Sequence, residues 1–342
     1  WRVHWDMPAR WSLEKTHPDL LKLAEWVLLD PWVPGLIEGH EWSRKPGKQP
    51  GLSFSGGIES TAAMMVMPRN TVISYQERDF ESMLKHDNAH RFINRLHELL
   101  VRRVHIVRSD HERIRTHWGK QIGFSTDLAC AVHLILLADH HDLDSIAVGM
   151  PIDNSWLAGG RKFRDFPNCS WCRKWLPPFA AAGLEVNLAV NMISQAGCLE
   201  VVKAHRLEDW AQSCLRAPAG RTCGRCWKCF FKNSLLGHEI DVTSIEISEF
   251  SSTDPLKTAA MVLYATKETG MFEELPQLER FADVDMSWFT CIYEPGFDLL
   301  PDKYRAGIES NLRRLLSVMP EPSPLEKANL EEAPYTPSML VN

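Results

Sequence analysis

The chain has 342 residues, 44% hydrophobic and 24% charged, with a formal net charge of −6; this is a globular composition able to bury a substantial core. The acidic balance argues against a general nucleic-acid binder, leaving room only for a local basic groove. No apolar run approaches the roughly 18 residues a membrane span needs, and no signal-peptide layout opens the chain, so a cytoplasmic location is expected.

Residues 1–48 form an extension rich in tryptophan (Trp1, Trp5, Trp11, Trp26, Trp32, Trp42), proline and charge. One helix is predicted there, from Pro18 to Asp30, with Leu20, Leu21, Leu23, Ala24, Val27 and Leu28 as its apolar stripe. Pro18 suits its first turn and Pro31 stops it. The tryptophans are expected to pack the extension onto the body; a base-stacking platform is the other use of such a set. Arg44 to Gly51 reads as a polar linker.

A core is expected over residues 49–240. Strand Leu52–Phe54 leads to helix Ser60–Met67, strand Thr71–Tyr75 and a helix from Glu81 to Val101. Strand Val104–Val107, a helical region from Asp127 to His140 and strand Ser145–Val148 follow. Short connections between alternating strands and helices predict an α/β fold with a doubly wound parallel sheet, whose ligands sit at the carboxyl ends of strands. Two glycine-bearing turns fall at such ends: Ser55-Gly-Gly-Ile-Glu-Ser60 and Gly149-Met-Pro-Ile-Asp-Asn154. A strand, a glycine turn and a helix start offer free backbone N–H groups and a positive helix end to an anion. Ser55, Ser60 and Thr61 can add hydroxyl donors, and Glu59 can hold magnesium against phosphates. From these residues alone, an ordinary Gly-Gly turn fits as well.

The stretch Arg161 to Lys174 is basic and reads either as a solvated loop or as a lid over an acidic ligand. Residues 241–342 read as a mostly helical appendage, with a helix from Pro255 to Thr269 and an extended or mobile tail carrying Pro320, Pro322, Pro324, Pro334 and Pro337.

Nine cysteines, an odd number with two tight clusters, favour metal or redox chemistry over a disulfide framework. Cys214, Cys223, Cys226 and Cys229 have the spacing of a tetrahedral zinc site, and an iron–sulfur cluster takes the same four thiolates. Gly224 follows a cysteine where a knuckle needs a permissive backbone, and Arg221 and Arg225 could offset the charge of the thiolates. With no general base among the four, the site reads as structural. Cys169-Ser-Trp-Cys172 is read as packing or loop structure, with redox or a second metal as alternatives; Cys130, Cys198 and Cys291 are read as core. Asp139-His-His-Asp142 is read as a solvated helix end.

With both motifs placed, residues 50–235 resemble the N-type ATP pyrophosphatases. Ser55-Gly-Gly-Ile-Glu-Ser60 matches their S-G-G-x-D-S loop with one change, and the chain has no Walker A sequence. The C-x8-C-x2-C-x2-C order of Cys214, Cys223, Cys226 and Cys229 is similar to that of the 7-cyano-7-deazaguanine synthases within that family. Phe166-Pro-Asn-Cys169 looks like their Y-P-D-C substrate loop, and Asp153-Asn-Ser155 like the D-x-S before it.

The resemblance implies the adenine nucleotide alpha-hydrolase-like fold with ATP, Mg2+ and Zn2+ as cofactors. It implies Glu59 and Ser60 as catalytic residues, with Ser53, Ser55, Gly56, Gly57, Ile58, Thr61 and Gly149 beside them as nucleotide contacts. Asp153, Asp165, Phe166 and Asn168 would meet the substrate. The implied reaction is ATP-dependent adenylation of 7-carboxy-7-deazaguanine or a relative, then displacement of AMP by ammonia or a larger amine to give an amide or nitrile. Longer members of the group occur in bacterial anti-phage operons. The partners in view are therefore a deazaguanine-type small molecule, a protein acceptor or operon partner, and a second copy of the chain, with nucleic acid a poor fit.

Glu59 in place of aspartate and Asn168 in place of aspartate are departures, as is Phe124-Ser-Thr-Asp127 where the family has G-R-N. Two rivals follow: a tRNA-thiolating enzyme using Cys169 and Cys172, and a nucleotide-binding partner without activity.

Overall fold

In the computed structural model, which describes residues 2–82, 84–99, 102–212 and 214–331, a mostly parallel sheet of six strands organises the chain. Its strands are β1 (Trp5–Asp6), β2 (Gln49–Ser53), β3 (Val72–Arg78), β4 (Val104–Ser109), β5 (Leu143–Ala147) and, after the separate hairpin of β6 (Leu157–Ala158) and β7 (Lys162–Phe163), β8 (Glu185–Asn187). The order across the sheet is β1-β4-β3-β2-β5-β8. All neighbours run parallel except β1 on β4. From β2 the chain builds outward through β3 and β4, then returns to the other side of β2 for β5 and β8. The order therefore reverses between β2 and β5, and a crevice opens there at the carboxyl ends of both strands.

Helices α1 (Pro18–Leu29), α2 (Ile58–Val66), α3 (Asp87–Leu99), α4 (Val132–Leu136), α5 (Ser170–Ala181), α6 (Gln195–Ala204), α7 (Trp227–Leu236), α8 (Ile245–Ser251), α9 (Ala259–Thr269) and α10 (Asp302–Arg313) complete the fold. One core packs Leu23 and Val27 of α1, Leu134 of α4, Phe179 of α5 and Val262 of α9 against Ile146 of β5. The other packs Met64 of α2, Phe92 of α3, Leu199 of α6 and Ile308 of α10 against Leu52 of β2. Both faces of the sheet are covered, so β5 is buried along its whole length, including the polar Asp144 and Ser145.

The tryptophans do tie the extension to the body. Trp5 stacks on His111 at 4.6 Å, Trp32 on Trp118 at 4.3 Å, and Trp26 meets Trp175 at 4.5 Å. Arg44 to Gly51 is not a loose linker. Buried Arg44 donates to the carbonyls of Leu143 and Gly183 and pairs with Asp139 at 2.8 Å. Asp139 holds this ion pair at the rim of a segment whose Asp139, His140 and Asp142 remain exposed, as expected of a solvated helix end.

Three other expectations change. The helical region from Asp127 to His140 shortens to a 3-10 turn and α4. The basic stretch 161–174 is ordered: it holds β7 and the start of α5, with Lys174 paired to Asp30. The proline-rich tail packs as far as residue 331, burying Met319, Leu325 and Leu330 while Ala328 accepts from the Phe163 N–H. Prolines remove donors but leave carbonyls and apolar anchors intact. Pro334 and Pro337 lie outside the described residues, as do Trp1 and the predicted helix end at Val101. Among the described residues, no helix is long and apolar enough to cross a membrane.

Burial also sets an acid limit on the fold. His133 of α4 lies wholly buried under β3, its Nε2 3.4 Å from the Ser74 carbonyl, and burial lowers its pKa from 6.5 to about 4. His111 is lowered to about 3, again by burial first and then by His133. The native chain keeps these rings neutral where the unfolded chain protonates them, so their contribution is complete above pH 6.5 and lost as pH falls toward 4. Lowering the pH from 6.5 to about 4.5 is expected to cost roughly 2 kcal/mol through His133. His133→Leu should flatten the fall of the unfolding midpoint; a slope equal to that of the wild type would contradict this.

Candidate functional site

The Ser55–Ser60 turn joins β2 to α2 at the edge of the crevice. Gly56 adopts φ +73°, a left-handed conformation that a Cβ would strain. Gly57 caps α2 without a side-chain acceptor, leaving the N–H groups of the first turn without a side-chain cap. The hydroxyls hold the loop. Ser55 Oγ and Ser60 Oγ lie 3.0 Å apart, the Ser55 N–H donates to Ser60 Oγ at 3.2 Å, and Thr61 Oγ1 donates to the Gly57 carbonyl at 2.7 Å. Thr61 is fully buried, and together with Gly56 and Gly57 it shapes the turn from behind.

Gly149 follows β5 on the other side of the crevice. A Cβ there would fall 2.9 Å from the Ser60 nitrogen and 3.0 Å from Glu59 Cβ. The two backbones approach this closely only because position 149 has no side chain. Gly149→Val is expected to destabilise the chain by about 1–3 kcal/mol and displace the start of α2. A denaturation midpoint unchanged from the wild type would show that the approach carries no such constraint.

Two cavities, of about 260 and 710 Å³, meet at Ser53, Ser55, Glu59, Phe124, Cys130 and Lys228. The smaller runs from Tyr75, Gln76 and Arg78 at the end of β3 to Leu215, Trp227, Lys228 and Phe231. Arg78 Nε pairs with Glu112 Oε1 at 2.8 Å; burial raises the Glu112 pKa while Arg78 opposes the rise. The Tyr75 hydroxyl bonds His86 Nδ1. Gln76 Oε1 and His86 Nε2 are buried without a partner among the described residues, so this wall offers polar atoms to a ligand.

The larger cavity is lined by Ser60, Gly149, Asn154, Arg164, Trp171 and Phe124 to Asp127. The four residues standing in place of G-R-N therefore face the cleft. None of the predicted substrate residues, Asp153, Asp165, Phe166 and Asn168, lines either cavity. Asp165 and Asn168 are exposed and bond each other at 2.8 Å, and Phe166 is buried against Trp171 and Trp156. Asp153 is buried, and its Oδ2 accepts the Gln195 N–H at 2.8 Å at the start of α6, which Ser194 caps. Its Oδ1 has no partner among the described residues, and burial, reinforced by the charge of Glu59, raises its pKa from 3.8 to about 7.

The cysteine segment forms the facing wall. The sulfurs of Cys214, Cys223 and Cys229 lie within 4.8 Å of one another, and Cys226 packs in the same buried cluster. Cys223 Sγ is 3.6 Å from Cys229 Sγ. Shared hydrogen bonding with Cys229 lowers the pKa of Cys214 and Cys226 below the ordinary thiol value, while that of Cys229 is raised. Thiolate character is what a soft divalent ion needs. Gly224 has φ +66°, as a knuckle requires.

Asn88 of α3 clamps the segment to the core, donating to the carbonyls of Cys214 and Arg221 at 3.2 and 3.0 Å. Arg221 and Arg225 are exposed; the cation that feels Cys226 and Cys223 is Arg216, which is held mainly by Glu246. Cys169 and Cys172 lie together at the start of α5, outside the cleft lining.

These features define an α/β protein with a mostly parallel sheet, a cleft where the strand order reverses, and a buried cysteine cluster that could hold a metal such as zinc. Residues 174–328 match DUF6395, a family of unknown function. The match begins inside α5, includes the cysteine cluster and α6 to α10, and leaves out the Ser55–Ser60 turn. Among curated proteins, none matches the chain.

Proposed function

We propose that the chain is an ATP-dependent enzyme of the 7-cyano-7-deazaguanine synthase type, with the doubly wound fold of the adenine nucleotide alpha-hydrolases. One observation carries the reading: the Ser55–Ser60 turn and the Cys214–Cys229 segment, far apart in sequence, wall the same cleft. That is the pair of motifs on which the resemblance rests.

In this reading the α2 N-terminus and the Ser55 and Ser60 hydroxyls grip the ATP phosphates. A carboxylate oxygen of the second substrate attacks the α-phosphorus as the bond to pyrophosphate breaks. Ammonia or another amine then attacks the acyl carbon, and the bond to AMP breaks to leave an amide. A second activation, on the amide oxygen, would yield the nitrile. Holding the reactants together does most of the work, so no side-chain nucleophile is required.

Glu59, which lines both cavities, is the carboxylate that would hold Mg2+, while its like charge helps keep the buried Asp153 protonated to a higher pH. The ion would offset phosphate charge beside Glu59. Zn2+ fits Cys214, Cys223 and Cys229 with Cys226 as the fourth sulfur, in a structural role.

The thiolating alternative has less support, since burial raises the Cys172 thiol to about 12 and neither Cys169 nor Cys172 lines the cleft. The deciding experiment incubates the protein with ATP, Mg2+, ammonium and 7-carboxy-7-deazaguanine. AMP and pyrophosphate are expected. Bound ATP with neither product would favour the inactive partner and overturn the enzyme.

A further inference from the structure

Arg78, Arg164 and Lys228 bring cationic side chains to the lining of the cleft. Two of them are committed within the protein. Arg78 pairs with Glu112, and Arg164 donates to the backbone carbonyls of Asn154 and Ser155. Lys228 is exposed, touches both cavities, and among the described residues makes no ion pair; its amine lies 5.3 Å from the Trp227 ring centre. It sits between Cys226 and Cys229, and Leu215, next to Cys214, lines the same wall. The cysteine segment therefore presents an uncommitted positive charge beside Ser55 and Glu59.

We propose that Lys228 binds the phosphates of the nucleotide from the cysteine-segment wall, and that the cluster is what holds it there. This rests on the reading of the cleft as an ATP site. An ammonium on a flexible stem suits a polyphosphate, and an acidic chain needs a local cation to offset its own field. The backbone on either side of Lys228 is fixed by cysteines, so the side chain reaches the cleft without reordering a long loop.

Calorimetric titration of the full chain with Mg2+–ATP and with adenosine tests this, using Lys228→Ala and Lys228→Arg. The alanine variant is expected to raise the Kd for ATP about 10- to 100-fold. Adenosine affinity, zinc content and the unfolding midpoint should stay as in the wild type, and Lys228→Arg should recover most of the ATP affinity. Equal ATP affinity in wild type and Lys228→Ala would overturn the assignment while leaving the ATP reading intact. Equal losses for ATP and adenosine, or loss of zinc, would overturn it in favour of a structural role. Failure of the wild type to bind ATP would overturn both readings.

Discussion

Glu59→Ala should reduce AMP and pyrophosphate formation by about 10²–10³-fold or more, the scale of losing one preorganised electrostatic contact to developing charge. Glu59→Asp should keep turnover within about tenfold of the wild type. Glu59 stands in the first turn of α2, where the helix end favours a negative charge, and lines both cavities. The glutamate is one methylene longer than the aspartate of the resembled family. Restoring aspartate therefore changes reach and not charge. Steady-state assay of AMP release checks both variants, and wild-type turnover in Glu59→Ala would remove this residue from the chemistry.

Cys229→Ser is expected to have the largest effect on stability. Cys229 belongs to the buried three-sulfur group and bonds Cys214 and Cys226, so its loss breaks the cluster at its centre. The free energy of a structural zinc is folding free energy, and losing it should lower the unfolding midpoint by on the order of 10 °C. Leu215, Trp227, Lys228 and Phe231 line the cleft from the same segment, so ATP affinity should fall with the metal. Elemental analysis and thermal unfolding of matched samples test this. A stable Cys229→Ser protein that still carries stoichiometric zinc would contradict it.

The parts of the fold legible in the sequence are those with strong local patterns. Strands β2 to β5 fall where short stretches containing apolar residues, such as Leu52 and Phe54, Val72 and Ile73, Val104, Ile106 and Val107, and Ile146 to Val148, alternate with helical patterns, and α1 and α2 carry clear helical stripes. The misses have physical causes. β1 and β8 are two and three residues long and exist because a neighbouring strand edge accepts them. α5 contains Pro177 and Pro178, which conceal its period. The tail looked mobile because its prolines are visible in sequence and its docking partners are not.

The site divides in the same way. The Ser-Gly-Gly turn and the cysteines are contiguous, so their chemistry reads directly. Gln76, Glu112, Asn154, Arg164, Trp171 and Lys228 come from different elements and meet only after folding. Gln76 and Glu112 have no local signal; Asn154 lies in the second glycine turn, Arg164 and Trp171 lie in the basic stretch, and the place of Lys228 inside a C-x2-C pair is itself a clue. Asp165 and Asn168 misled because a loop motif specifies residues but not the direction of their side chains.

The central claim, attack of a carboxylate on the α-phosphorus of ATP, is tested most directly by isotope transfer. The acid, labelled with 18O in its carboxylate, is turned over with ATP and ammonium, and the nucleotide product is weighed by mass spectrometry. AMP carrying one 18O atom is the predicted result. ADP with labelled phosphate, or AMP without label, would contradict the account.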